Sequence, residues 1–405
     1  MNLRLMLLAA AWPSACFALG FRLTDQDPLA SARGGAFAAT ADNASAIYYN
    51  PAGITQLSGI RSLMSAYAIS YEASVDLAGP GGTEDTKGQP AIVPHSFYTL
   101  QPQNSPVTFG LGLYSPFGLG FEYDDASPFR TLGIKGSMQY TTVSPVVAWK
   151  INETLSVGAG PTINYSRLKL ARGIVTRGDE FIFEGAGLSF GFAAGLLWQP
   201  TPQHSIGAAY HAASQTTYSG HTRVRIPAFE VEVAPGVSIP QERFENEDDA
   251  DLDLQFPQTI TLGYSFRPTP AWNFEVNVEW TDWDNLNTET VHQTQGDDLA
   301  LPFNYESSFI YSFGATRTFG NGLRLSGGYI YSENSVPNES FNPLVPDSNR
   351  HVLSVGVGQT RGKLSWDLAY QYAYGPHRRI ANGSPADGTY RFQSNALVVS
   401  LGLQF

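Results

Sequence analysis

The chain reads as all-β: a fourteen-stranded antiparallel transmembrane β-barrel, its lumen plugged by a small-residue, partly helical N-terminal hatch. Three observations predict this. The first is an export leader. The second is a composition suited to lipid in a chain that has no apolar run of ~18 residues for a spanning helix. The third is a strict period-2 alternation that repeats until the chain ends on Phe405.

Residues 1–18 form the leader. Arg4 supplies the positive charge, Leu5 to Trp12 the apolar stretch, and Cys16-Phe17-Ala18 the small residues at −3 and −1 (Cys16 and Ala18) for cleavage after Ala18. The apolar stretch is too short to cross a bilayer as a helix. Cys16 is the single cysteine, so the mature chain has no disulfide, no thiolate chemistry and no cysteine framework for a metal. No metal and no cofactor is expected.

Charged residues make up 15% and aromatic residues 13%, with 20 Tyr. A soluble protein usually carries about 25% charged residues. A charge-poor, Tyr-rich chain without a spanning helix can live beside lipid as a closed barrel, which satisfies every backbone group and leaves no edge. The net charge of −12 argues against a nucleic-acid partner. The expected surroundings are outer-membrane lipid and lipopolysaccharide, with the protein a monomer in a bacterial outer membrane.

Residues 57–405 carry the strands. Ile260, Leu262, Tyr264 and Phe266 share one face against Thr259, Thr261, Gly263 and Ser265. Phe274, Val276, Val278 and Trp280 oppose Asn273, Glu275, Asn277 and Glu279, and Leu397, Val399, Leu401 and Leu403 oppose Ser400, Gly402 and Gln404. Gly, Ser and Thr on the polar face and aromatic residues at the ends of the apolar face place lipid outside and a lumen inside. Short links such as Pro102–Ser105, Gly320–Asn321 and Arg361–Gly362 alternate with long ones near 76–90, 122–135, 171–181, 220–255, 284–303, 334–349 and 375–389. Short periplasmic turns and long outer loops have this rhythm, and an even strand count leaves both termini on the periplasmic side.

The loop spanning residues 220–255 holds Glu242, Glu245, Glu247, Asp248, Asp249, Asp251 and Asp253, and is expected to be a solvated outer loop. Asp249, Asp251 and Asp253 alternate like the start of a calcium loop, but Leu254 stands in place of the turn glycine and Ile260 in place of the last Glu, so the match fails. Among the charges of this segment stand Phe229, Val231 and Phe244. They either pack as a lid or receive a solute in a groove built from the third and fourth loops.

Residues 19–56 precede the first strand. Ala30, Ala32, Ala36, Ala38, Ala39, Ala41, Ala44 and Ala46 give small side chains that fit a narrow channel, and Asn50 and Pro51 supply turns and caps. Pro116 with Gly118 and Gly120 breaks the third strand, because proline gives no ladder donor and glycine permits a kink.

Gly20-Phe21, Asn50-Pro51-Ala52-Gly53, Pro116-Phe117-Gly118-Leu119 and Ser144-Pro145-Val146-Val147-Ala148-Trp149-Lys150-Ile151-Asn152 resemble the long-chain fatty acid transporters of the outer membrane, whose relatives take up aromatic hydrocarbons. The resemblance covers essentially the whole mature chain. It implies a fourteen-stranded barrel, an N-terminal hatch and passive uptake of hydrophobic molecules. It also implies that Leu19, Gly20 and Phe21 contribute to an internal site, that their movement releases the ligand, and that the kink at Pro116, Phe117 and Gly118 forms a lateral opening. If the solute is a fatty acid, a cation should meet its carboxylate. Arg324 on an inward face and Arg350 at an upper strand end are the candidates, unless they pair with Glu275, Glu279 or Asp42.

Two other classes stay in view. Gly187-Leu188-Ser189-Phe190-Gly191 matches a hydrolase nucleophile elbow, but it lies within a Gly-rich strand rather than on a strand–turn–helix. A general porin would have no plug.

Overall fold

The computed structural model describes residues 21–79, 81–88, 90–174, 177–234 and 237–405. The leader, Leu19 and Gly20 lie outside the described residues. The alternating segments form fourteen strands: β1 (Gly59–Leu77), β2 (Ala91–Gln101), β3 (Val107–Tyr114, resuming at Gly118–Glu122), β4 (Lys135–Lys150), β5 (Leu155–Arg172), β6 (Glu180–Thr201) and β7 (His204–His211, resuming at Ser214–Ile226). Then come β8 (Phe244–Phe256, resuming at Thr259–Thr269), β9 (Trp272–Thr281), β10 (Ser308–Thr318), β11 (Leu323–Ser332), β12 (Arg350–Arg361), β13 (Leu364–Tyr374) and β14 (Gly388–Gln404). Each pairs antiparallel with its neighbour. The barrel closes where β1 meets β14, from Arg61↔Gln404 to Leu77↔Gly388.

The apolar face turns outward. Along β14, Leu401 is 61% exposed while Val398 is fully buried and Ser400 nearly so. Phe190 on β6 is 70% exposed. A continuous band of such residues cannot face water.

Toward the long-loop end the alternation inverts. On β1, Tyr71, Ala73 and Val75 are buried against the lumen while Glu72 points out. On β8, Ala250, Leu252 and Leu254 face in and Asp249, Asp251 and Asp253 face out. Leu168 of β5, Phe181 and Phe183 of β6, and Tyr390 and Phe392 of β14 are likewise buried beside outward charges. The lower wall is apolar outside; the upper wall is apolar inside.

This corrects the reading of residues 220–255 as one loop. β7 runs on to Ile226 and β8 begins at Phe244, paired from Ser214↔Phe256 to Ile226↔Phe244. A small hairpin, Phe229–Ala234 with Val237–Gln241, tops them. The acidic run lies on a paired strand: Glu245, Glu247, Asp249, Asp251 and Asp253 point outward, while Asp248 is buried and accepts from the Gln295 and Gly296 N–H groups, a pattern that the density of charge hides.

Residues 21–57 lie inside the barrel as a hatch. Helix α1 (Pro28–Ala32) starts with Asp27 accepting from the Ala30 N–H at 3.2 Å, and Pro28 follows where a missing N–H costs nothing. Helix α2 (Ala46–Tyr49) leads into a 3-10 turn, Pro51–Gln56. Asn50 joins hatch to wall. Its amide donates to Ala38 O at 2.7 Å and to Leu196 O of β6 at 3.0 Å, and its Oδ1 accepts from Ala52 N–H at 3.1 Å. Gly53 lies against Ala41 with no room for a side chain.

Wall glycines make the fit possible. A Cβ on Gly158 would lie 2.6 Å from the Pro51 carbonyl carbon, and one on Gly314 would lie 2.5 Å from Arg33 O. On Gly195 it would strike Asn50 Oδ1, and on Gly207 it would strike Ala38 O. Gly34 returns the contact from the hatch side: its φ is +61° and a Cβ there would lie 2.8 Å from Tyr329 N.

Candidate functional site

The inward apolar residues of the upper wall enclose a cavity of about 380 Å³. Leu168, Phe181, Phe183 and Leu254 come from the strands. Leu132, Leu301, Phe303, Phe341, Leu344 and Val345 come from the connections after β3, β9 and β11. Arg172 and Glu339 are its charged lining residues among those described. The Arg172 guanidinium lies 5.5 Å from the centre of the Phe181 ring, so its stem covers apolar surface while its head reaches the cavity edge.

Phe21 is the floor. It meets Trp283 edge-on at 5.1 Å, Phe256 at 5.8 Å and Phe117 at 6.2 Å. Its backbone is tied to the interrupted third strand. Gly118 N–H donates to Phe21 O at 2.8 Å, and Leu23 N–H donates to Pro116 O at 2.7 Å. At Ser115–Phe117 the chain leaves the ladder. Below this point β3 pairs with β2, from Leu100↔Phe109 to Ser96↔Leu113. Above it, Gly118–Glu122 pairs with β4, and no ladder to β2 is present among the described residues. The N-terminal segment and the kink therefore satisfy each other's backbone groups beside a gap between β2 and β3.

Beneath the floor the hatch is held by buried charge. Arg22 grips Glu279 with both terminal nitrogens and donates to Thr281 Oγ1 at 3.0 Å. Arg33 meets Glu275 at 3.2 Å, both side chains almost wholly buried. Glu275 also accepts from Ala39 N–H at 2.8 Å and from the Thr40 hydroxyl.

The two candidate cations lie elsewhere. Arg324 is fixed by Asp367 at 2.9 Å and by Thr360 at 2.7 Å, near the short-turn end and away from the cavity. The partners proposed for it are taken: Glu275 by Arg33, Glu279 by Arg22, and Asp42 by Arg267 at 3.6 Å. Arg350 sits 3.5 Å from Asp347 and over the Phe392 ring at 5.1 Å, outside the cavity lining. Phe229 lies on the small hairpin and Phe244 begins β8; both are exposed and neither lines the lumen cavity. The side chain of Val231 lies outside the described residues. The cavity residues could have been found from the inverted alternation of Glu180-Phe181-Ile182-Phe183-Glu184 and Asp251-Leu252-Asp253-Leu254.

Burial, and then the nearby Asp367 carboxylate, pushes Asp27 of the hatch up to about 7. Its ordinary value is near 4. A carboxyl whose docked-state pKa is raised holds its proton longer in the docked hatch than in a solvated one. Docking is therefore strongest at low pH and weakens as pH rises from ~4 through ~7. Protease susceptibility of the hatch should rise between pH 5 and pH 8. Asp27→Asn, which keeps the cap, should flatten that dependence; an unchanged slope would remove Asp27 as its source.

A closed barrel with an internal plug and an apolar lumen cavity defines a class of plugged membrane barrel. Over residues 8–405 the chain matches the family of outer membrane protein transport proteins (OMPP1/FadL/TodX), and it belongs to that family. It is similar to the long-chain fatty acid transport protein of Escherichia coli (strain K12), with 22% identity over 407 residues, 91% of this chain and 89% of that protein. Among solved structures it is similar to a Pseudomonas aeruginosa FadL homologue (TM-score 0.81, 18% identity, 95% of this chain and 100% of the other). The Pseudomonas putida toluene transporter TodX superposes with a TM-score of 0.76 at 18% identity, covering 95% of this chain and 100% of the other. The chain is thus an outer-membrane transport barrel.

Proposed function

We propose that this protein passes hydrophobic molecules, fatty acids or monoaromatic hydrocarbons, inward through the outer membrane without an energy source. The carrying observation is that the floor of the apolar cavity, Phe21, is hydrogen-bonded to the kink in β3. The long loops face outward, and the first and last strands of the wall start and finish at the short-turn, periplasmic end, while the N-terminal segment runs up inside the lumen to Phe21.

A solute leaves water for the cavity, gaining roughly 0.8 kcal/mol per buried CH2. It then meets Phe21. Moving Phe21 aside breaks the two backbone bonds to Pro116 and Gly118. At about 0.5–1.5 kcal/mol each, that step is open to thermal motion and to offset by ligand binding. The freed segment uncovers the gap between β2 and β3, and the solute leaves sideways along the lipid-facing side. Water and ions gain nothing from the apolar route, and the hatch blocks the straight one.

Of the relatives' named substrates, long-chain fatty acid and toluene, only the fatty acid carries a charge, its carboxylate. Arg172 is placed to read it. Arg172→Ala should lower fatty-acid uptake about tenfold and leave alkylbenzene uptake unchanged. Equal loss of both would assign Arg172 a structural role, and no change in either would remove it from the path. Uptake of neither solute by the wild-type protein would sink the whole reading. The reading includes no catalysis: Ser189 Oγ accepts from the Thr216 hydroxyl at 3.0 Å, which cannot serve as a base.

A further inference from the structure

A second cavity lies outside the barrel. The outward faces of β13, β14 and β1 form a polar cleft of about 670 Å³, within the size range of small-molecule sites. Glu72 of β1 and Arg391 and Gln393 of β14 form its base; Tyr372 and Tyr374 of β13 and Asp85 form its walls. Asp85 belongs to a short strand, Thr83–Asp85, that folds back and pairs with the top of β1.

Its height on the wall is fixed by its neighbours. Down the outward face of β14, Arg391 and Gln393 give way to Asn395, which accepts from the Tyr370 hydroxyl at 2.6 Å. Then follow the exposed apolar Leu397, Val399, Leu401 and Leu403. A chain of outward rings runs to the cleft: Tyr311 with Tyr331 at 6.2 Å, Tyr331 with His351 at 5.4 Å, His351 with Tyr374 at 5.2 Å, and Tyr374 with Tyr372 at 6.0 Å. Aromatic belts mark the boundary between acyl chains and headgroups. The cleft opens directly above that boundary.

Its chemistry selects among headgroups. The polar groups are held in place: Gln393 donates to Glu72 at 2.6 Å, and Arg391 donates to Asp76 at 2.7 Å. Carboxylate, amide and guanidinium side by side offer both donors and acceptors, beside flat tyrosine faces. Sugar rings present hydroxyls that donate and accept, and C–H faces that stack. A bare phosphate would meet the Glu72 and Asp85 carboxylates, with the Arg391 charge already engaged by Asp76 and His377 the other basic lining residue, a poor balance for an anion.

We propose that this cleft holds the sugar headgroup of an outer-leaflet glycolipid, whose acyl chains lie on Leu397, Val399 and Leu401 below. The proposal rests on the orientation given above, with the long loops outward. The test embeds the full mature chain in phosphatidylethanolamine nanodiscs with rough lipopolysaccharide and counts retained glycolipid by native mass spectrometry. Wild type should retain at least fivefold more than the double variant Tyr374→Ala, Gln393→Ala. Tyr98→Ala, a lipid-facing tyrosine of β2, should retain as much as wild type, and heat-modified gel mobility checks that all variants fold. Retention should survive EDTA. Equal retention by the double variant overturns the site; loss in EDTA overturns the sugar chemistry in favour of an ion-bridged phosphate. Equal binding of the deacylated oligosaccharide overturns the lipid source. Alkylbenzene uptake, measured in parallel, should be unchanged in the double variant, so failure here and failure of the transport reading give different results.

Discussion

Glu275→Ala opens the barrel to ions. Glu275 sits on the inward face of β9, fully buried, and holds three hatch groups at once: Arg33, Thr40 and the Ala39 N–H. Truncation leaves the Arg33 guanidinium buried without its carboxylate. Removing one partner of a buried pair typically costs about 3–5 kcal/mol, mainly through the stranded charge. The cheapest response is for the hatch to leave its seat and let Arg33 reach water, because the ladder of the barrel itself loses nothing. Planar-bilayer recording should show a stable ion current in the variant where wild type shows little. The double variant Glu275→Leu, Arg33→Met should reseal it, since an apolar pair of similar volume replaces a buried ion pair at little cost. A sealed Glu275→Ala barrel would mean that the other hatch contacts suffice.

Gly195→Val should unseat the same hatch from the opposite wall. The added atoms strike Asn50 Oδ1 and come within 2.8 Å of Pro51 Cδ. Overpacking costs about 1–3 kcal/mol. Displacing Asn50 also breaks its bonds to Ala38, Leu196 and Ala52, each worth about 1 kcal/mol. The expected phenotype is a protease-sensitive N-terminal segment in a barrel that keeps its strand circular dichroism. Gly320→Ala, in a turn with nothing within 4 Å of a new Cβ, is the control and should behave as wild type. A hatch as resistant in Gly195→Val as in the control would show that the wall yields at little cost.

These two sites show what the amino-acid order reveals and what it conceals. The strands were legible because lipid and lumen impose opposite solvents on alternate residues, and loop length records which end is which. Asn50-Pro51-Ala52-Gly53 was legible as a motif, though its work was not. That work is done against Leu196 and Ala41, and neither contact follows from spacing. Glu275 looked like one more polar inward residue. Its partner is 242 residues away, and choosing Arg33 over Arg324 needs the folded chain. The apolar lining of the upper lumen escaped the sequence for a different reason. Phe229 and Phe244 stood out because charges surround them, whereas Phe181, Phe183, Leu252 and Leu254 were masked by the expectation that inward means polar. That holds only while lipid lies outside.

The paired interruptions in β7 and β8 carry a last consequence. His211 pairs with Thr259 and Ser214 with Phe256, so Ala212-Ala213 stands opposite Pro257-Gln258. Buried positions are odd-numbered in the lower half of each strand and even-numbered in the upper half. Each strand thus carries one surplus residue at the same level. β6 has no such surplus, and its register with β7 slips by one between Ala193↔His211 and Ala186↔Ser219. Across the β7–β8 seam the two surplus residues cancel and the ladder resumes in the same register, while across the β6–β7 seam the surplus is taken up as a one-residue slip. The staves of this barrel therefore absorb a change of length in two ways, by a matching residue on the neighbour or by a bulge that keeps each upper segment facing the same side.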